Sequence, residues 1–338
     1  MSDTPRTDSA DDPWRTGGDA AQPCDADGAG DRDFAVNTLE GIVPLDPQFG
    51  VIDPQVVPET LEEITFGGAA DQLTYAILDA ARIDGLAERL ENAGLPHACL
   101  FSNTDDLGGV APWLVEIDRA APLTRQMFTD GEGPRALWRT DAGVLLRTVL
   151  PLADLRAHLR RFTQVRMAAD ADPVFFRFWD PRVMSRYLHS HDPEAREAVT
   201  AMLGGTEIIA IDRHNARAVH ATVRAPRGRP PRIWPKLRTD LSPIRLEIFC
   251  EDLADRIATD IPPLADVPRA ERREIVTGLV QAARGIDLRL DKSVTRYVFA
   301  ALMIGGQPET DPRFADIIDS PRHELDRSRQ ILNLAKAV

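Results

Sequence analysis

Residues 73–101 read LTYAILDAARIDGLAERLENAGLPHACLF. Leu73–Leu78 is a short apolar run closed by Asp79, the pattern of a buried strand. Ile83–Ala93 follows with Leu86 and Leu90 on one face and Gly94-Leu95-Pro96 as a stop, which predicts a helix. Ala98–Phe101 is apolar again and predicts a second strand. Working outward, Trp113–Ile117 reads as a strand entered through Gly108, Gly109 and Pro112, and Leu123–Phe128 as a short helix. Ala136–Arg139 and Val144–Val149 read as strands around an Asp141-Ala142-Gly143 turn. Pro151–Met167 is the clearest helix: Leu152, Leu155, Leu159 and Phe162 recur at three- and four-residue spacing, and Pro151 suits a first turn.

The segment from Val174 to Arg182 is the most specific. Alternation places Val174, Phe176 and Phe178 on one face and Phe175, Arg177 and Trp179 on the other. Both faces are bulky, which predicts a central strand. Asp180 suits a helix N-cap and Pro181 the first helical position, so the strand passes directly into a helix over Arg182–His189. An arginine on a central strand needs a carboxylate partner, and Asp79 is the preferred candidate for Arg177, a pair that two parallel neighbouring strands would bring together. Glu194–Leu203 reads as a helix, and Ile208–Ile211 with Ala218–Val223 as a hairpin around His214-Asn215. Residues 224–238, RAPRGRPPRIWPKLR, form a proline-rich break. Beyond it the pattern is helical: Ile244–Ala258, Arg269–Ala283, Ser293–Met303 and His323–Ala335.

Strands alternating with helices, then helices alone, predict an α/β or α+β lobe with a central mixed sheet flanked by helices, followed by a smaller all-α lobe. The boundaries expected are a disordered acidic tail and extended lead-in over 1–65, the α/β domain over 66–223, a Pro/Arg-rich linker over 224–241 and the helical lobe over 242–338. The first 33 residues hold nine acids against three bases and little apolar surface, hence the disorder. With 338 residues and 43% hydrophobic composition the chain is long enough for a sizeable core. Its net charge of −13 argues against a general nucleic-acid binder. It shows neither a secretory leader nor an apolar run long enough to span a bilayer, so no membrane association and a cytoplasmic location are expected. Three scattered cysteines, Cys24, Cys99 and Cys250, suggest neither a disulfide framework nor a metal site.

Catalytic signatures are missing: there is no G-x-S-x-G, no glycine-rich phosphate loop and no H-E-x-x-H. His189-Ser190-His191, with His158 upstream, is the nearest approach to a metal cluster. It lies where a helix ends and lacks the three or four convergent ligands a zinc site needs. No catalytic, cofactor-binding or metal-binding residue is therefore assigned, and no cofactor. Basic residues do cluster. Residues 135–166 carry seven arginines against two acids, and residues 224–238 carry six basic residues and no acid. Each is either a solvated face or a basic groove for an acidic partner protein, with Arg156, Arg160 and Arg161 as the candidate surface.

Four pieces occur in order: Tyr75–Ala81; Leu100-Phe101 leading to Ala111–Val115; Leu155–Arg160; and Phe176–Val183, which contains Trp179, Asp180, Pro181 and Arg182. Together they resemble the type VI secretion effector-adaptor chaperones (Tap or TEC), over about residues 73–200. The resemblance implies a protein that binds a toxic effector in the bacterial cytoplasm and helps load it onto the VgrG spike, with no catalytic residues or cofactor. It marks Asp79, Arg177, Trp179, Asp180, Pro181 and Arg182 as structural or partner positions. Two other readings stay open: an immunity-like protein that binds the catalytic domain of a toxin, and an effector enzyme.

Overall fold

The structure is a computed structural model that describes residues 34–101, 107–141, 143–170, 172–231, 234 and 237–337. Its strands in chain order are β1 (Phe34–Glu40), β2 (Leu73–Asp79), β3 (His97–Cys99), β4 (Pro112–Glu116), β5 (Gly143–Thr148), β6 (Gln164–Val165), β7 (Val174–Phe175), β8 (Thr206–Asp212) and β9 (Arg217–Val223). Seven form one sheet in the order β1-β9-β8-β5-β2-β4-β3, and β6 and β7 form a separate two-stranded ribbon. Every strand pairing among the described residues is antiparallel, in place of the expected mixed sheet; a parallel bridge between Leu45 and Thr129 lies outside the strands.

Both faces of the sheet are covered, which is why Leu73–Leu78 is apolar without alternation. Tyr75, Ile77, Val144, Leu146, Ile208 and Ala210 point to one face, under the helices Leu152–Leu159, Pro181–Leu188 and Pro193–Leu203. Ala76, Leu78, Leu145, Ile209 and Ile211 point to the other, under Glu59–Phe66, Leu86–Ala93 and Pro122–Phe128. Ile77 sits at the centre, opposite Leu114 on β4 and Val144 on β5. Gly143 admits no side chain: a Cβ there would lie 1.7 Å from the Ile77 carbonyl oxygen.

The helical lobe is built from Leu237–Asp260, Arg269–Gly285, Asp291–Ile304 and Glu324–Ala335. They enclose a core of their own that includes Leu253, Ile257, Val280, Tyr297, Phe314 and Ile331.

Several sequence expectations change. Residues 1–33 lie outside the described residues. Residues 34–65 are no mere lead-in: Phe34–Glu40 is an edge strand in register with Val223–Arg217, and Glu59–Phe66 is a helix. Exposed Asn37, Thr38 and Glu40 dilute its apolar pattern and hid that strand. Ala136–Arg139 is not a strand; Trp138–Thr140 forms a helical turn that buries Trp138. The long helix from Pro151 ends at Leu159, and a 3-10 turn over Arg160–Phe162 redirects Phe162 into the core. The joint is ordered where described. Trp234 is buried against Phe176 and Tyr187, and the Gly228 amide donates to the Ala201 carbonyl. The next helix already starts at Leu237 and carries Pro243 within it, losing one backbone hydrogen bond.

The edge strand generates a prediction. A chain beginning at residue 34 should melt as the full-length protein does. One beginning at residue 42 loses the β1 ladder and should melt several degrees lower. Phe34→Ala, which also removes the Arg196 guanidinium stacked 4.1 Å from the ring centre, should cost about 3 kcal/mol in urea unfolding.

Candidate partner-binding site between the lobes

The signature residues meet at one end of the sheet. Asp79 closes β2 and is buried. Its carboxylate accepts hydrogen bonds from the Arg177 guanidinium, from Trp179 Nε1 at 3.0 Å and from the Ala81 amide at 3.0 Å. The pair expected from sequence forms, but by another route. Val174–Phe175 pairs only with Gln164–Val165, outside the main sheet, and Phe176–Trp179 is not a strand, so the two residues meet across a turn instead of along parallel neighbours. Phe176, Phe178 and Trp179 are all buried, which accounts for the bulk that suggested a central strand. Arg177 itself is half-exposed, its side chain 47% accessible, so only the carboxylate side of the pair is buried.

Asp180 caps the following helix, accepting from the Arg182 and Val183 amides at 3.1 and 3.3 Å, with Pro181 in the first turn. Its second oxygen accepts from Arg82 Nη2 at 3.0 Å. Arg82 also lies 3.5 Å from Asp141, which Arg213 approaches at 3.0 Å while stacking over Trp138.

Arg182 joins the two lobes. Its side chain is 4% accessible and reaches Glu251 (3% accessible) at 2.8 Å, Asp252, and the Ile248 carbonyl at 3.3 Å. One turn on, Arg186 meets the other oxygen of Glu251 at 2.8 Å and Glu247 at 3.0 Å. Arg273 closes the network on Glu247 at 2.6 Å. A second clasp lies beside it. Arg269 donates to Asp255 at 3.0 Å and to the His214 carbonyl at 2.9 Å, and His214 Nδ1 lies 3.1 Å from Asp255. Sequence reading noted Arg182 and missed its partners. The signal was present: Arg182 and Arg186 share a helix face at four-residue spacing, and so do Glu247 and Glu251.

Next to this lock lies an open groove. A space of about 600 Å³ has a mixed lining in which Met167, Val174, Phe175, Leu241, Leu246 and Phe249 are apolar, with Arg245, Arg284 and Arg289 exposed around it and Asp291 as the acid among the described lining residues. It adjoins a second space of about 300 Å³ over Arg177 and Val183. Phe175, 51% accessible, stands between the groove and a third recess of about 570 Å³ that Arg160 and Arg161 help to line. Its ring packs 5.0 Å from that of Phe101. Of the three candidate arginines, Arg160 and Arg161 border this recess, whereas Arg156 turns inward and donates to the Cys99 carbonyl at 2.7 Å. Arg161 also contacts His158 Nδ1 at 2.6 Å.

The histidines do not converge. His158 is buried, 2.8 Å from the Met202 carbonyl, and His189 ties the end of its helix to Thr38 on β1. Among the described residues no group of three or more His, Cys, Asp or Glu side chains is placed to hold a metal ion, and no helix is long and apolar enough to cross a membrane. An apolar trough with a basic rim is suited to holding an amphipathic acidic segment of another protein.

Two outcomes are expected. Arg182→Ala removes one of the guanidinium partners of buried Glu251, which keeps Arg186, and should cost about 1.5–3 kcal/mol in chemical unfolding. Second, Asp212 at the end of β8 is fully buried. Burial pushes its carboxyl up, but the hydrogen bonds from Asn215 and the guanidinium groups of Arg186 and Arg217 outweigh that and hold it below its ordinary 3.8. A depressed acid contributes stability above its unfolded value and loses it as pH falls through the folded value. The melting temperature should therefore drop on acidification below about pH 4, and Asp212→Asn should be less stable at neutral pH with a flatter acid limb.

Comparison with the curated proteins and with the solved structures returns no significant match. Residues 74–198, which run from β2 into the helix Pro193–Leu203 and so include Asp79, Arg177 and the Asp180–Arg182 turn, match the family model described as "Domain of unknown function (DUF4123)".

Proposed function

We propose that this protein is a cytoplasmic, non-enzymatic adaptor that holds a type VI secretion effector and helps load it onto the VgrG spike. The matched family is associated with type VI secretion adaptors. The observation that carries the reading on this chain is the groove between the lobes. It has apolar side chains in its lining, three exposed arginines (Arg245, Arg284 and Arg289) and a half-exposed phenylalanine at its edge. Exposed aromatics beside arginine are the usual anchors of protein interfaces. The groove draws Val174 and Phe175 from the matched segment and Leu241 and Phe249 from the helical lobe, so both lobes contribute to choosing the partner.

The ligand that fits is an effector segment with one apolar helical face and acidic flanks. Phe175 and the aliphatic residues take the apolar face. The arginines speed association and impose register. Such binding weakens as salt rises, because rim charges are screened within about 10 Å at 0.1 M ionic strength.

The test is binding kinetics with candidate type VI effectors from the same genome. Phe175→Ala should raise the dissociation rate about tenfold, the loss of roughly 1.4 kcal/mol. Reversing Arg160, Arg161 and Arg245 to Glu together should slow association and flatten its salt dependence. Binding unchanged by both sets would sink the assignment of the groove. Toxicity of this protein when expressed alone would favour an effector enzyme, and inhibition of the toxin's catalytic domain would favour an immunity protein.

A further inference from the structure

The interlobe groove is a basic spot on an acidic chain, and its arginines come from the helical lobe. Arg245 lies on Leu237–Asp260, Arg284 on Arg269–Gly285, and Arg289 just before Asp291–Ile304. Neighbouring arginines are committed: Arg182, Arg186, Arg269 and Arg273 all hold carboxylates. Arg289 holds Asp287 at 3.0 Å. The guanidinium groups of Arg245 and Arg284 have no ion-pair partner among the described residues. The acids of the groove and of the space adjoining it do not supply one. Asp180 and Asp252 are taken by Arg82 and Arg182, which leaves Asp291. Two uncompensated cations beside Met167, Phe175 and Phe249 suit an acidic segment with an apolar anchor.

The chain itself carries such a segment. Residues 1–33 hold nine acids against three bases, hence −6 of the net −13 in the first tenth of the sequence. Asp8, Asp11 and Asp12 lead into Trp14, the one aromatic residue of that stretch. The described chain begins at Phe34, buried in the same cluster against which Val174 and Leu241 of the groove pack. Phe34 and the groove therefore lie on one face of the sheet. The twenty residues from Trp14 to Phe34 can span at most about 70 Å. A globular body of this size is roughly 50 Å across, so the groove is within reach. A segment tethered to the chain it binds acts at an effective concentration up to about millimolar, so a weak contact suffices to fill the site.

We infer that residues 1–33 dock in the interlobe groove of their own chain, with Trp14 on its apolar side chains and Asp8, Asp11 and Asp12 against Arg245 and Arg284, and that an effector binds by displacing them. The displacement rests on the groove being the partner site, as proposed above. A tail that fills nine grooves in ten lowers the apparent affinity for a competing segment about tenfold. Segments that match the groove less well than the tail are thereby excluded, so the tail sets a threshold of affinity.

The experiment is photo-crosslinking within the full chain. Cys99 and Cys250 are 4% and 3% accessible, so in a Cys24→Ser background the added thiol of Ala10→Cys is the one a benzophenone maleimide labels. Irradiation should give adducts of single-chain mass that join the tail to residues 241–249 or 280–291. Raising salt from about 0.05 to about 0.5 M should cut their yield severalfold. Arg245→Glu with Arg284→Glu, both exposed, should do the same. In the full chain, Asp8→Asn, Asp11→Asn, Asp12→Asn and Trp14→Ala together should tighten binding of a candidate type VI effector about tenfold. Adducts that map away from the groove, or that survive the double reversal at full yield, would overturn the inference. The groove's assignment to an effector would then stand or fall separately, on Phe175→Ala. Groove adducts that persist under saturating effector would overturn the displacement. If effector affinity also ignores Phe175→Ala, the tail is docked and the effector assignment is what fails.

Discussion

Two guanidinium groups one helical turn apart, Arg182 and Arg186, face Glu247 and Glu251 one turn apart on another helix, and the centre of this contact is almost dry. Charges removed from water are costly unless every lone pair and proton finds a partner, so the contact tolerates one relative position of the two helices and punishes others. That selectivity sets how the helical lobe sits on the sheet lobe. A greasy interface of the same area would accept sliding; the paired forks of Arg182 and Arg186 do not.

A second constraint holds the other wall of the groove. Asp79 collects the Arg177 guanidinium, the Trp179 indole and the Ala81 amide, which pins the turn leading into the helix. With Phe176, Phe178 and Trp179 drawn inward and Asp180 committed to capping, Phe175 has no interior left to occupy. Its exposure follows from the commitments of its neighbours. The same short segment therefore anchors the lobe lock and supplies the aromatic at the groove's edge.

Much of this was readable in advance. Buried strands announce themselves by apolar runs, so Leu73–Asp79, Gly143–Thr148 and the β8–β9 hairpin were predicted nearly where they lie. Capping chemistry is local, so Asp180-Pro181 marked its helix correctly. Phe34–Glu40 was missed because an edge strand packs one side only and its pattern is diluted by Asn37, Thr38 and Glu40. Val174–Trp179 was overread because period-two alternation with bulky residues on both faces fits a central strand and an irregular buried turn equally well.

For the site, the sequence by itself determined the ingredients: the carboxylate at Asp79, the arginine that needs it, the cap at Asp180 and the surplus of arginine around residues 135–166. These depend on local periodicity and on the cost of leaving a charge unpaired, which any reading of residue types exposes. Only the tertiary structure decided that Arg182 pairs with Glu251, 69 positions away, and that Arg156 turns inward while Arg160 and Arg161 line a recess. It alone tied Gln48 to Gln55 across the loop that follows β1. Pairings across such separations are selected by how two packed surfaces meet, and that geometry is a property of the whole fold, carried by no segment alone.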